Sequence, residues 1–192
     1  MEAVSYVNTY LEGLKTVIDA LPRDVIAQIY AKLEECQISG QTLFVMGNGG
    51  SAATASHMVC DMGKNTRGTQ KPRLRVIGLA DNMAGFSAYA NDEGYDRVFA
   101  EQIISLGRTG DVVVAISGSG NSSNVLEGVK IAREKGMFTI GFTGYAGGKL
   151  KGAVDLPLVV PVNDMEQIED VHMILDHVLT GLLRGRRYDI AH

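Results

Sequence analysis

Cysteine is scarce in this chain: Cys36 and Cys60 are the only two, with no C-x-x-C pair and no cysteine framework around them. This excludes a disulfide-stapled miniprotein, and both are expected as reduced, buried thiols of a cytoplasmic protein. Long hydrophobic runs are also missing. No stretch approaches the roughly 18 apolar residues that crossing a bilayer needs, so no membrane partner is expected. Positive charge is not in excess either, with 18 Lys and Arg against 22 Asp and Glu. A net charge of −4 excludes the broad basic footprint of a nucleic-acid binder. Repeats, low-complexity tracts and linkers are absent, which points to a single domain over 1–192. The opening MEAVSYVNTYLEGLKTVIDA is amphipathic and carries acids, so it reads as neither a secretory signal nor a transit peptide. The closing RGRRYDIAH reads as a solvated basic terminus.

What the chain does have is enough apolar residue, 45%, for a full core. Apolar positions at helical spacing predict helices over 2–20 and 23–38, split by Leu21-Pro22. Five short runs rich in β-branched residues follow: 42–46, 74–79, 112–117, 138–143 and 156–160. They are continuously apolar, as strands buried on both faces must be, and segments able to form helices separate them. The expected class is therefore α/β: a parallel five-stranded sheet flanked by helices, preceded by an N-terminal helical hairpin at 1–40. A last helix is expected from about Asn163, capped with the help of Glu166, to Leu183. The hairpin and this last helix carry more apolar stripe than one small sheet can cover, which predicts a homo-oligomer.

Two predicted strands end in glycine-rich turns that open helices, GNGGS at 47–51 and SGSGNSS at 117–123. Free N–H groups at such helix starts attract an anion. Ser51, Ser117, Ser119 and Ser122 add hydroxyl donors, and the glycines of both turns, Gly49 among them, let the backbone approach a ligand. No Lys or Arg lies in either turn, which suits one phosphate better than a polyphosphate. Gly47, Gly49 and Ala52 match the dinucleotide pattern G-x-G-x-x-A, but the acid it needs about 20 residues on is missing; Asp81 comes too late. A Walker A motif fails because Leu150 follows Gly148-Lys149.

The helix predicted at 51–62, with Gly63 as its C-cap, has only His57 and Asp61 as ionisable groups in its middle. One turn apart, they share a face. An internal His–Asp pair and a metal site both satisfy that pattern, since His-x-x-x-carboxylate is good ligand spacing. Cys60 reads as a small packed apolar group. On the last helix, Ile168, Val171, Leu175, Val178 and Leu182 form the predicted core stripe, with Glu166, Glu169 and His177 opposite and His172 off that cluster. Spacing alone leaves the polar stripe as either solvated surface or a partner to His57 and Asp61.

GNGGSAATASHMVCDM, AISGSGNSSNVLEGVKIAREKGM and IEDVHMILDHVL resemble the sugar isomerase (SIS) domain of the phosphoheptose isomerases, as does ANDEGYDRVFAEQI. The resemblance spans nearly the whole chain. It implies a Rossmann-like sandwich, a homotetramer with sites between subunits, and one zinc ion per subunit. The implied metal ligands are His57, Asp61, Glu169 and His177, and the implied substrate contacts are Asn48, Gly49, Ser51, Asp81, Ser117, Ser119, Ser122 and Glu166. The implied activity interconverts sedoheptulose 7-phosphate and a heptose 7-phosphate, with Asp61 as base, His177 as acid and Glu169 as alternative base. The chain departs from the family in having Asp61 for Glu, Glu169 for Gln, Gly118 for Thr and Glu166 for Asp. A non-catalytic SIS-domain regulator that binds a phosphosugar or the replication initiator, and an isomerase of another sugar phosphate, remain alternatives.

Overall fold

The computed structural model describes residues 2–67 and 70–185, so the terminus expected to be solvated lies outside the described residues from 186 on. The chain opens with α1 (Ala3–Asp19) and α2 (Arg23–Ser39), then alternates strand and helix. The strands are β1 (Thr42–Gly47), β2 (Arg75–Gly78), β3 (Val112–Ile116), β4 (Phe138–Thr143) and β5 (Leu156–Val159). The helices between and after them are α3 (Gly50–Asn65), α4 (Met83–Asp92), α5 (Ala100–Leu106), α6 (Ser123–Glu134), α7 (Leu150–Ala153) and α8 (Met165–Leu183). The five apolar runs are thus the five strands, each within a residue or two of its predicted end. They pair in parallel in the order β2-β1-β3-β4-β5.

Because side chains alternate along a strand, an all-apolar strand feeds two cores. Leu43, Val45, Val112, Val114 and Ile116 pack under α2, α3 and α8. Phe44, Met46, Val113 and Ala115 pack under α5, α6 and α7. The hairpin is tied to the last helix by Tyr10, whose hydroxyl donates to Asp170 at 2.6 Å. No helix among the described residues is long and apolar enough to cross a membrane.

Several local expectations are corrected. Cys36 is buried, but Cys60 is exposed, because the buried stripe of α3 is Thr54, Ala55, Met58 and Met62. Gly63 does not cap α3; the helix runs on to Asn65 and Thr66. A Cβ at Gly63 would come 3.1 Å from Val76, so the residue marks where α3 passes close to β2. The cap of α8 is Asp164, which accepts from the Gln167 N–H at 3.0 Å, not Asn163 with Glu166. Val178 and Leu182 are 40% and 39% exposed. The inward stripe of α8 runs instead through Ile168, Val171, Leu175, Leu179 and Leu183. Beside it lies a second buried stripe of His172, Asp176 and Thr180. Burial holds the His172 imidazole down to about 4, even though it hydrogen-bonds with the Thr143 carbonyl.

Candidate functional site

The chain leaves β1 for β2 on one side of the sheet and later returns to lay β3 on the other, so the C-terminal ends of these neighbours flank a crevice. Gly47 pairs in register with Ile116. The two glycine-rich turns therefore emerge side by side. Between them lies a cavity of about 150 Å³, lined by Asn48 and Ser51 from the first turn and by Ser117, Ser119 and Ser122 from the second.

Ser122 stands at the N-cap of α6, yet its hydroxyl makes no capping bond. It lies instead 3.0 Å from the Ser117 hydroxyl; in the first turn of α6 the Val125 N–H is taken by the Asn124 side chain at 2.9 Å, and the N–H groups before it face the turn. A dianionic phosphate seated here would meet hydroxyls and a positive helix end; the one charged side chain lining the cavity is Glu169, with no Lys or Arg. Met165 forms one wall, and its Sδ would lie 2.5 Å from a Cβ at Gly118. The missing threonine side chain is thus replaced by a thioether from α8. The Asn48 and Asn124 side-chain amides bond each other at 2.8 and 2.9 Å, and Asn48 also accepts from the Tyr95 hydroxyl at 2.9 Å. Asn48 is consequently fixed in position rather than free to swing.

Not every expected substrate contact lies here. Gly49 is the exposed N-cap residue of α3. Asp81 accepts a hydrogen bond from Ser56, a residue that lines an adjoining cavity of about 280 Å³ with Asn48, Gly49, Met83 and Phe86. Glu166 is exposed on the first turn of α8 and does not line the serine cavity.

Helices α3 and α8 lie against each other and run in the same direction: Glu169 abuts Gly50 at the start of α3, and His177 meets His57 in its middle. The two Nε2 atoms are 3.2 Å apart. His57 Nε2 is 3.5 Å from Asp61 Oδ2 and 3.8 Å from Asp176 Oδ2. One donor atom from each of His57, Asp61, Asp176 and His177 lies within 4.8 Å of the others. Donors about 2.0–2.1 Å from a tetrahedral cation stand roughly 3.3 Å from one another, close to the spacings seen here.

Asp176 is fully buried, and its Oδ2 has no hydrogen-bond partner among the described residues. Burial, reinforced by the nearby Asp61 carboxylate, pushes Asp176 up to about 6. An orphaned buried carboxylate beside a second carboxylate and two imidazoles is an arrangement that a divalent cation relieves. The residues fit such an ion. The structure thus brings together three of the four expected ligands, His57, Asp61 and His177, from helices far apart in sequence.

Glu169 does not join them. It precedes His177 by more than two turns, about 12 Å of helix, and its carboxylate lies beside Gly50, where an added Cβ would meet it at 2.5 Å. It lines the serine cavity instead. Asp176 was missed by spacing alone, although a carboxylate set among Val171, Leu175 and Leu179 on an inward face was a legible signal.

A family model described as the SIS domain matches residues 5–144. A probable phosphoheptose isomerase of Thermoplasma acidophilum is 40% identical over 183 residues, 95% of this chain and 98% of the relative. The solved phosphoheptose isomerase GmhA of Neisseria gonorrhoeae superposes with a TM-score of 0.87 at 31% identity, covering 94% of this chain and 98% of that one. The phosphoheptose isomerase structure from Francisella tularensis gives a TM-score of 0.87 at 28% identity, over 97% and 100% of the two chains.

Proposed function

The chain belongs to the phosphoheptose isomerases of the SIS domain family, and on that footing we propose that it interconverts sedoheptulose 7-phosphate and D-glycero-D-manno-heptose 7-phosphate. It is an aldose–ketose isomerase. The observation that carries the substrate reading is the layout of α3. The serine cavity lies at its start and the imidazole pair at His57, seven residues on, about 10 Å along the helix. A seven-carbon sugar with phosphate at its far end spans that gap, whereas a three-carbon one does not.

Ser51, Ser117, Ser119 and Ser122 hold the phosphate, and that remote binding fixes where the reacting carbons fall. His57, His177 and a neighbouring carboxylate would hold one divalent cation per subunit, with zinc the fit for an imidazole–carboxylate set. When bound, the ion polarises the carbonyl and the adjacent hydroxyl of the open-chain sugar. Asp61, part-exposed at the edge of the cluster, removes the proton from C1 of the ketose and returns it to C2. The sugar hydroxyl protons shift in step, so atoms and charge balance and no redox partner is needed. Glu169 lines the path between cavity and cluster and orients the sugar hydroxyls. His177 is a poor proton donor in this arrangement, because its Nε2 faces the shared donor position.

The test is turnover of purified, zinc-loaded protein on phosphorylated heptose, hexose and pentose ketoses. Heptose turnover at least tenfold above the others supports the assignment; a hexose or pentose turned over faster contradicts it.

The enzyme works in the cytoplasm as a homotetramer in this reading. Val4, Val7 and Leu11 form an exposed apolar stripe on α1, and Val178 and Leu182 are exposed apolar residues on α8. A second copy covers these faces, so sedimentation equilibrium should give about four times the 20.6 kDa chain mass; a monomer mass at micromolar concentration contradicts this.

A further inference from the structure

Four donors converge where α3 meets α8, but their surroundings differ in a way that assigns separate tasks to the two carboxylates. Asp176 is 0% exposed. Its Oδ1 accepts from the Thr180 hydroxyl at 3.2 Å, and its unpartnered Oδ2 faces His57 Nε2 at 3.8 Å. Enclosed in this way, the carboxylate cannot reach a sugar carbon. Asp61 lies one turn beyond His57 with its side chain 24% exposed, on the open side of the cluster. One methylene shorter than glutamate, its side chain cannot reach both an ion and a sugar carbon without a backbone adjustment.

We infer that Asp176, and not Asp61, is the carboxylate that holds the cation with His57 and His177, leaving Asp61 free as the base. This arrangement has the form of a catalytic metal site: three protein donors and a position open to substrate. Thr180 fixes the Asp176 carboxylate from behind, as outer-shell hydrogen bonds commonly do for metal ligands. The inference rests on the isomerase reading above, because it presumes a cation and a base at this site.

The experiment measures zinc affinity by competition with a chromophoric chelator, together with the visible spectrum of the cobalt-loaded protein. The variants are Asp176→Asn, Asp61→Asn and His57→Ala. Asp176→Asn should weaken zinc at least 100-fold and change the cobalt spectrum. Asp61→Asn should stay within about tenfold of wild type in zinc affinity while losing roughly 1000-fold in kcat. Zinc affinity kept in Asp176→Asn, or lost more heavily in Asp61→Asn, overturns the assignment. Zinc affinity kept in His57→Ala shows instead that the cation site itself is misread. The metal-free melting temperature of Asp176→Asn should equal or exceed wild type, since an orphaned buried carboxylate is removed; a clear drop would mark the residue as structural and overturn the proposal. If the asparagine variant does not fold, Asp176→Ser, which keeps an oxygen near Thr180, is measured against the same limits.

Discussion

Alanine at His57 or at His177 is expected to lower kcat/KM for sugar-phosphate isomerisation by roughly 1000-fold or more, and the two losses together should not multiply. The two Nε2 atoms converge to 3.2 Å from helices 120 residues apart in sequence. Neither nitrogen has its usual reason to be there, because two neutral imidazoles share only one hydrogen bond and two protonated ones repel. A positive ion facing both would account for their convergence. Removing either donor opens the set, and the second removal has little left to take. Both imidazoles lie toward solvent, so truncation leaves no buried cavity and the fold should persist by circular dichroism. Steady-state kinetics of the single and double variants check this. Independent, multiplying losses would mean that the imidazoles act separately.

The second large effect is on the phosphate cradle. Gly120→Ala should destabilise the protein by about 2–4 kcal/mol and raise KM for the phosphorylated substrate by at least tenfold. Gly120 has φ +66°, a backbone region that a side chain enters only at a cost. The space is closed as well: a Cβ there would stand 2.1 Å from the Gly147 carbonyl oxygen. That contact is backbone on backbone, because the serine turn packs directly on the 147–148 turn through Leu150 N–H to Gly120 O at 2.9 Å. No rotamer change relieves it, so the turn itself must move, and Ser119 and Ser122 move with it. Chemical denaturation and KM together test the prediction. A variant with wild-type stability and KM would show that the turn is not the rigid seat described above.

Much of this architecture was legible in the residues. The apolar runs gave the strands because a two-faced sheet requires continuous burial, a signal that survives without any partner information. The serine turns were legible because glycine, serine and a helix start occur together. What spacing could not supply was depth. Val178 and Leu182 fit a helical stripe as well as Leu179 and Leu183 do, and only the direction from which α3 approaches decides between them. The same ambiguity hid Asp176, which lies next to His177 in sequence but faces inward, and it placed Glu169 with His177 although two turns of helix intervene. Cys60 shows the converse case: small and apolar by composition, it falls on the exposed side of α3 because Met58 and Met62 take the buried one.

The most direct measurement is turnover of sedoheptulose 7-phosphate by the zinc-loaded protein in deuterium oxide, followed by NMR of the product. An aldose heptose 7-phosphate carrying solvent deuterium at C2 is the expected result, since a proton held on a part-exposed carboxylate exchanges with solvent before it returns. Folded, metal-loaded protein that forms no aldose, or forms it with C2 free of deuterium and the C1 hydrogen carried across intact as in a hydride shift, would contradict it.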